Sequence, residues 1–220
     1  MMKKLLLVLF LFFTSSSSAQ FVKKDTLIKN DVYESMYSYK YGQPRYVKYK
    51  LYHGGGDCSR SKEHFHFRPD SVTTTGIKDY ANSGYDEGHM ANAEDFAYDC
   101  KKEELTFRFY NCIPQTPKLN RGIWKSNENL VRKWSQTDSV LVICGGIFTS
   151  KSKKINSNLI IPDKCYKVVI SLTSHKLLEV MVYDNNDSPK ENSVKLISIE
   201  AQVHFFFERL AGFSIVEAHN

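Results

Sequence analysis

Two stretches of this chain decide its fold: GYDEGHMANAED at residues 84–95 and FYNCIPQTPKLNRGIWKSNE at residues 109–128. The first places a histidine, His89, directly after a glycine. The second supplies a further asparagine, Asn120, and a glutamate, Glu128. Histidine is the natural proton acceptor near neutral pH, and amide and carboxylate oxygens are ligands of hard cations such as Mg²⁺. The two stretches together therefore predict a general base beside a metal site, a combination suited to phosphodiester cleavage.

The second stretch predicts a helix that begins at Lys118 or Asn120 and runs to Trp134. Its apolar side chains are expected to share one buried face; they are Ile123, Trp124, Leu130, Val131 and Trp134. Asn120 and Glu128 are eight residues apart, which on a helix is a rise of about 12 Å and a rotation of about 80° beyond two full turns. Both are thus expected at the edge of one cleft, with only one of them in direct contact with a metal ion.

The remaining apolar segments alternate or cluster as β-strands do, and a segment near the C-terminus becomes helical. Strands are predicted at residues 46–53, 105–111, 139–148, 165–172 and 177–184, and a closing helix within residues 193–213. The strand at 139–148 is expected to be central and to end in a Gly-Gly turn, and the last two strands are expected to form a hairpin. Because there is no βαβ alternation, the predicted class is α+β, with a mainly antiparallel sheet flanked by helices.

The N-terminus, MMKKLLLVLFLFFTSSSSAQ, is typical of a secretory signal peptide, since Lys3 and Lys4 precede an apolar run and a small-residue cleavage region. The run is too short to span a membrane, so cleavage would leave a chain with no stable membrane association. We predict a signal peptide at residues 1–19, a loose, tyrosine-rich N-terminal arm at 20–44 and a single domain at 45–220. The predicted localisation is secreted or periplasmic.

The formal net charge is +6, and loss of Lys3 and Lys4 with the signal peptide would lower it to +4. This modest positive balance fits a polyanionic partner without requiring one. A chain of 220 residues that is 42% hydrophobic can bury one good core. Length and composition therefore indicate a single domain. The class of binding partner has to be inferred from the sequence motifs.

Cysteine usage fits an exported chain, in which one or two disulfides are expected. The five cysteines are Cys58, Cys100, Cys112, Cys144 and Cys165. Their odd number leaves at least one unpaired in a monomer, and their spacings do not form a zinc pattern. Cys100 and Cys112 flank the predicted strand at residues 105–111, and their pairing is the interpretation considered first.

These motifs resemble those of the DNA/RNA non-specific endonucleases, a branch of the ββα-metal (His-Me finger) nucleases that includes mitochondrial endonuclease G. The family pattern is Asp-Arg-Gly-His, then Asn-x-x-Pro-Gln, then Leu-Asn-x-Gly-x-Trp with a glutamate eight residues after that second asparagine. The matching positions are Asp86, Gly88 and His89; Asn111, Pro114 and Gln115; and Leu119, Asn120, Gly122, Trp124 and Glu128. The resemblance extends over roughly residues 46–213 and implies the ββα-metal active-site motif.

The resemblance also implies roles for these residues. His89 would be the general base that activates water, and Asn120 would be the direct protein ligand of Mg²⁺, for which Mn²⁺ is a candidate substitute. Glu128 would act on the metal through its bound waters or through a proton network. Asn111 would orient His89 or the phosphate, and Asp86, with Gly88, would support the loop that carries the histidine.

The implied partners are DNA and RNA, bound through their phosphates without sequence preference, and a homodimer is left open. Arg132 is expected to contact phosphate; its alternative is an ion pair with Glu128, four residues before it. A second phosphate-binding arginine is expected upstream, where Arg60 and Arg68 compete and Arg60 is favoured.

The chain departs from the family at Glu87, where the pattern has arginine. A carboxylate cannot replace an arginine–phosphate contact. Two further interpretations therefore stand beside the nuclease: a catalytically weakened nucleic-acid-binding module, and a structural or interaction protein.

Overall fold

The computed structural model describes residues 24–59, 66–156, 159–203, 207–212 and 214–215. Its main element is a seven-stranded sheet in which every neighbouring pair is antiparallel, in the order β1-β2-β3-β6-β9-β10-β11. Two small pairs, β4–β5 and β7–β8, lie outside it. The strands are β1 Thr26–Lys29, β2 Tyr33–Ser38, β3 Gln43–Leu51, β4 Asp86–His89, β5 Cys112–Gln115, β6 Val140–Ile147, β7 Lys154–Ile155, β8 Leu159–Ile160, β9 Lys164–Ser171, β10 Leu177–Asp184 and β11 Glu191–Ser193.

The helices are short except for one. They are α1 Ile77–Tyr80, α2 Cys100–Leu105, α3 Lys125–Ser135, α4 Leu196–Val203 and α5 Phe207–Ala211. A helical segment, Leu119–Trp124, leads directly into α3, but non-helical backbone angles at Gly122 break the single helix that the sequence predicts. Short 3₁₀ turns lie at Ala93–Phe96 and Phe109–Asn111. Together with the sheet, these elements confirm the predicted α+β class with a mainly antiparallel sheet. Among the described residues, no helix has the length and apolar character needed to cross a membrane.

The main sheet is covered on both faces, and strand alternation assigns each side chain to a layer. In β9, Cys165 and Val169 belong to the core shared with the β4–β5 hairpin and α3, whereas Tyr166 and Val168 pack on the side of α4 and α5. Because both faces of the central strand β6 are buried, its sequence is a continuous apolar run and not an alternating one. The hairpin and α3 lie on one face and form the ββα unit.

The N-terminal segment corrects one expectation, because part of it belongs to the sheet instead of forming a loose arm. Tyr33 and Tyr37 in β2 are buried. The Tyr33 hydroxyl donates to the Leu105 carbonyl at 3.0 Å, and the Tyr37 hydroxyl lies 3.1 Å from the Thr75 hydroxyl. Tyrosine can be buried when its hydroxyl finds a partner, so a polar, tyrosine-rich composition did not indicate a loose chain.

The strand predicted at residues 105–111 is also absent. Helix α2 ends at Leu105, and the chain then turns through the 3₁₀ segment, where the Asn111 amide donates to the Arg108 carbonyl at 2.7 Å. Phe107 and Phe109 are buried within this irregular segment. Alternating aromatic residues satisfied the strand pattern, but they are buried without forming a strand ladder.

The central strand continues through its two glycines, so the Gly-Gly turn predicted after residue 144 is wrong. Gly145 pairs with Tyr166 and Gly146 with Cys165 inside the sheet. A Cβ atom at Gly145 would lie 2.3 Å from the Arg45 carbonyl oxygen. The glycine is therefore required by close backbone approach within the sheet, not by a turn.

The disulfide joins Cys58 to Cys100, not Cys100 to Cys112. The loop before Cys58 runs along residues 95–97, where the Gly55 amide donates to the Asp95 carbonyl and the Cys58 amide to the Ala97 carbonyl. This path brings Cys58 to the start of α2. Cys112 lies buried in β5, where the Tyr80 hydroxyl is 3.6 Å from its sulfur. Among the described residues, Cys112, Cys144 and Cys165 are unpaired thiols.

Candidate active site

The β4–β5 hairpin carries the predicted base at its end. His89 pairs with Cys112, and Gly88 lies between His89 and Glu87 in β4. A Cβ atom at Gly88 would lie 2.1 Å from the side-chain oxygen of Gln115, which is fully buried. Gly88 is therefore needed for the two strands to pack closely, which fits the structural role that the motif implies for it.

Asn111 fixes the chain directly after His89. Its side-chain oxygen accepts from the Ala91 amide at 2.8 Å, and its Nδ2 donates to the carbonyls of Ala91 at 2.9 Å and Thr106 at 2.8 Å. The Met90 amide donates to the Asn111 carbonyl at 2.9 Å. Both N–H donors of this fully buried amide are thus used by the backbone. The geometry favours the orienting role for Asn111 and leaves it no donor for phosphate.

The imidazole of His89 is half-buried between aromatic rings. Its centroid lies 4.6 Å from that of Phe67 and 4.7 Å from that of Phe107. The His89 carbonyl accepts from Trp124 Nε1 at 3.3 Å. The ring is therefore packed in place, and its backbone is tied to the helical segment that carries Asn120.

Asn120 lies in the helical segment Leu119–Trp124, just before a break at Gly122, whose backbone angles (φ −102°, ψ −112°) are not helical. Its Nδ2 donates to Asp86 Oδ2 at 3.0 Å. Asp86 also accepts two bonds from Arg121, at 2.8 Å from Nε and 2.7 Å from Nη2. Because Asp86 binds the amide nitrogen of Asn120, the carbonyl oxygen of that side chain remains to coordinate a cation.

Asp86 is charged in this arrangement. Partial burial would raise the pKa of its carboxyl, but the hydrogen bonds from Arg121 and Asn120 and the guanidinium charge outweigh burial and lower it below its ordinary value. Asp86 thus links the hairpin to the helical segment through charge-assisted bonds. Arg121 was not anticipated as a site residue, and its position beside Asn120 is the one signal in the sequence that could have suggested it.

An open cleft of about 660 Å³ lies along this helix. Three cationic, two acidic and three asparagine side chains line it: Arg121, Lys125 and Arg132; Glu94 and Glu128; and Asn92, Asn120 and Asn129. Asn120 and Glu128 therefore edge one cleft, as their spacing predicts. The helix face is as predicted at Trp124 and Val131, but Leu130 is 37% exposed, because its position points away from the sheet.

Glu128 is largely buried, yet its side chain reaches the cleft. Within the described residues, no hydrogen bond or ion pair occupies its carboxylate, and the alternative ion pair with Arg132 is not formed. The oxygens of Glu128 and Asn120 are the donors that suit a hard divalent cation. The described residues contain no group of three or more histidine, cysteine or acidic side chains that could hold a metal ion.

Arg132 is bound to a different acid, Asp95. Its Nη1 lies 2.6 Å from Asp95 Oδ1, and the Tyr49 hydroxyl donates to the same carboxylate at 2.9 Å. Asp95 is fully buried, and burial raises its pKa to about 6 although Arg132 and the Tyr49 bond oppose the rise. Arg132 still lines the cleft, so the ion pair holds its guanidinium at the cleft wall.

The remaining predicted residues lie elsewhere. Arg60 is outside the described residues, and Arg68 forms an ion pair with Glu104 at 3.1 Å. Glu87 is not among the residues that line the cleft. Burial raises the pKa values of Tyr80 and Cys112, and the Glu87 charge adds a smaller effect in the same direction.

Comparison with known proteins identifies relatives over most of the chain. Residues 14–218 match the family described as DNA/RNA non-specific endonuclease. A nuclease from Nostoc sp. is 28% identical over 153 residues, covering 67% of this chain and 55% of that protein. Mitochondrial endonuclease G from Bos taurus is 27% identical over 156 residues, covering 64% of this chain and 52% of that protein. The chain thus spans about half the length of these relatives.

The fold is likewise that of a solved structure, a complex of EndoG with EndoGI. The two chains superpose with a TM-score of 0.73 at 24% sequence identity, and the match covers 90% of this chain and 91% of that chain. This likeness shows the shared fold, with the ββα-metal motif that the sequence predicted.

Proposed function

This chain belongs to the DNA/RNA non-specific endonuclease family, and from that membership we propose that it hydrolyses phosphodiester bonds of DNA and RNA as an exported, Mg²⁺-dependent endonuclease. One observation carries the proposal beyond family membership. Asp86 holds the amide nitrogen of Asn120, so that a carbonyl oxygen and the Glu128 carboxylate both serve one cationic cleft. That arrangement is suited to a metal ion and a phosphate together.

The residues present fit a divalent metal. Asn120 would contribute its carbonyl oxygen directly, and Glu128 would hold metal-bound waters. Mg²⁺ keeps several waters and needs only one or two protein contacts, so a site without a cluster of acidic ligands is suited to it. Mn²⁺ would be accepted by the same oxygen donors. When bound, the metal supplies positive charge that offsets the charge developing on the phosphate and the leaving oxygen.

His89 would take the proton from the attacking water. The imidazole is packed between Phe67 and Phe107, and Asn111 fixes the backbone that follows it. Such packing holds the base in one orientation, which lowers the entropic cost of reaching the reactive geometry. Asn111 acts as a positioning residue in this proposal because its amide is used by the backbone.

Cations at the cleft would bind the phosphates. Arg132, Arg121 and Lys125 line it, and Arg60 remains a proposed further contact. Phosphate contacts fix the position of a nucleic acid but carry no base information. Binding of this kind accounts for cleavage of both DNA and RNA without sequence preference, and it should weaken steeply as salt rises.

The alternative, a weakened nucleic-acid-binding module, is motivated by Glu87. An acid in this hairpin repels a polyanion where the family pattern has arginine. The nuclease proposal is favoured because His89, Asn120 and Glu128 are all present at the spacing of the family pattern.

A plasmid and RNA degradation assay separates the two proposals. Purified chain starting at Gln20 should degrade both substrates in millimolar Mg²⁺, and EDTA should stop it. Protein that binds nucleic acid in a gel-shift assay but stays inert across Mg²⁺, Mn²⁺, Ca²⁺ and Co²⁺ would establish the binding module instead.

Export is tested separately, by expressing the full chain and determining the N-terminus of the product. Processing before Gln20, with the protein in the periplasm or medium, is the expected result. An intact Met1 on cytoplasmic protein would contradict it.

A further inference from the structure

Lys167 is an anomaly in the core of this protein. It lies in β9, in the interior of the main sheet, and is 0% exposed. Its Nζ is buried and has no hydrogen-bond partner among the described residues. A buried ammonium group is costly unless other charges or dipoles compensate it. The position therefore calls for a physical reason.

The surroundings of Lys167 supply compensation of two kinds. Nζ lies 4.2 Å from the centroid of the Trp124 ring, within the range of a cation–π interaction. Asp95 is near enough that the Lys167 charge acts to lower its pKa, against the larger effect of burial, which raises it. The ammonium group thus lies against the aromatic face of Trp124 and interacts electrostatically with the buried acid that binds Arg132.

Trp124 connects the two halves of the proposed active site. It is the last residue of the segment Leu119–Trp124 that carries Asn120, and α3, which carries Glu128, begins at the next residue. It is fully buried, and its indole N–H donates to the His89 carbonyl at 3.3 Å. Any tilt of the indole ring would change how the base and the metal-binding helix sit relative to each other.

The sheet also contacts the histidine segment beside Lys167. Cys144 pairs with Lys167 across β6 and β9, and its thiol lies 3.2 Å from the Met90 carbonyl. Burial raises the pKa of Cys144 to about 12, so the thiol keeps its proton and donates. The same patch of sheet therefore supports the backbone at His89 through Trp124 and at Met90 through Cys144.

We propose that Lys167 is a positioning residue for the nuclease reaction: its ammonium group over the Trp124 ring holds the indole so that His89 and the Asn120–Glu128 helix keep their spacing. The inference rests on the proposed function. It differs from a packing role, because a packing role needs volume at residue 167 but no charge.

Three variants separate charge from volume. K167M keeps the length of the side chain and removes the charge, and K167R keeps a cation that can stack on an indole. K164M is the matched control, because Lys164 lies on the same strand in a half-exposed ion pair with Asp184. K167M is expected to fold, because methionine fills a similar volume and Asp95 keeps its ion pair with Arg132.

The expected result is a split between kcat and KM on plasmid DNA. K167M should lower kcat about tenfold with KM changed less than about twofold, because misplacing reacting groups slows the chemical step while phosphate contacts persist. K167R should keep at least half of the wild-type kcat, and K164M should match wild type. Thermal unfolding of each variant confirms that the folded protein is compared.

Fluorescence gives a readout that does not depend on activity. In a W134F background, Trp124 is the remaining tryptophan, and K167M should shift its emission while K167R and K164M should not. An active wild type with K167M at full kcat overturns the inference, as does a K167R variant that loses as much as K167M. If K167M does not fold, the kcat of K167R tests the inference, and a kcat below half of the wild-type value overturns it. An inert wild type would instead contradict the proposed function, so the two failures are distinguishable.

Discussion

The hairpin that carries His89 and the helical segments that carry Asn120 and Glu128 hold these side chains by different physical means. On the hairpin side, His89 is packed between aromatic rings, and neutral hydrogen bonds from Asn111 fix the adjacent backbone. On the helix side, ion pairs position the groups, with Asp86 binding Arg121 and Asp95 binding Arg132. Packing and neutral hydrogen bonds are little affected by salt or pH, whereas ion pairs respond to both. The arrangement on the helix side should therefore be more sensitive to salt and pH than the arrangement around His89.

The largest expected effect is on the hairpin side. His89→Asn should lower kcat by about 10²–10⁴, the contribution typical of a positioned general base, while the melting temperature changes little. The matched control is His175→Asn, which replaces an exposed loop histidine whose positive φ of 57° asparagine tolerates. Plasmid cleavage rates measure both variants. Full activity in His89→Asn would show that His89 is not the general base and that the hairpin does not supply a catalytic group.

A pH dependence of stability should appear on the helix side through Asp95. Its folded-state pKa of about 6 lies above the ordinary value of 3.8, so the folded state binds the proton more tightly than the unfolded state. The contribution of Asp95 to stability is thus fully present below pH 4 and is lost as pH rises through 6, by about 3 kcal/mol. Urea unfolding of wild type and Asp95→Asn from pH 4 to 7 should show this difference. Parallel curves would show that Arg132 keeps the carboxylate ionised throughout.

Asp86 joins the two halves, so its removal should affect metal use. Asp86→Ala frees the Asn120 amide, and outer-shell partners of metal ligands typically contribute 10–100-fold to metal affinity. The Mg²⁺ concentration for half-maximal activity should rise by about that factor, with little change in nucleic-acid binding measured without metal. Asp99→Ala, which removes an acid that caps α2 away from the cleft, is the control. An unchanged Mg²⁺ requirement would show that Asn120 is oriented by the helix alone.

The smallest effect should come from Arg121, whose side chain is 72% exposed. Arg121→Gln should reduce activity only about threefold at low salt, because an exposed ion pair contributes little and the Asn120 bond to Asp86 persists. The slope of log affinity against log salt should fall by about one if Arg121 contacts a phosphate. Lys78→Gln on α1, outside the cleft, should leave that slope unchanged. An unchanged slope in Arg121→Gln would assign the arginine to support of Asp86 alone.

The elements that were predictable from sequence are those in which one local rule decides the outcome. Strands β6, β9 and β10 are mainly apolar segments, and α3 has the helical spacing of apolar residues that its sequence predicts. The break at Gly122 just before α3 is not predicted by that spacing. In other segments, the sequence pattern is compatible with more than one local structure. The aromatic alternation at residues 105–111 is equally typical of a strand. The tyrosines of β2 can be buried because their hydroxyls form hydrogen bonds with partners distant in sequence.

The partners of the charged groups were not predictable in the same way. The alternative ion pair of Arg132 with Glu128 is replaced by one with Asp95, which is 37 residues away in sequence. Cys58 pairs with Cys100 across 42 residues. Such contacts depend on how loops are routed over the sheet, and composition or spacing within one segment carries no information about that routing.

The sequence by itself determined the α+β class, the ββα unit and the family, because the motifs place a histidine, an asparagine and a glutamate at spacings that a hairpin and a helix preserve. Only the tertiary structure decided which groups hold those residues in place. Three contacts between separate segments do this. Asp86 binds the Asn120 amide, Asn111 fixes the backbone after His89, and Lys167 lies over the Trp124 ring. Their physical basis is burial: a polar group removed from water needs a partner, and the fold alone determines which one is within reach.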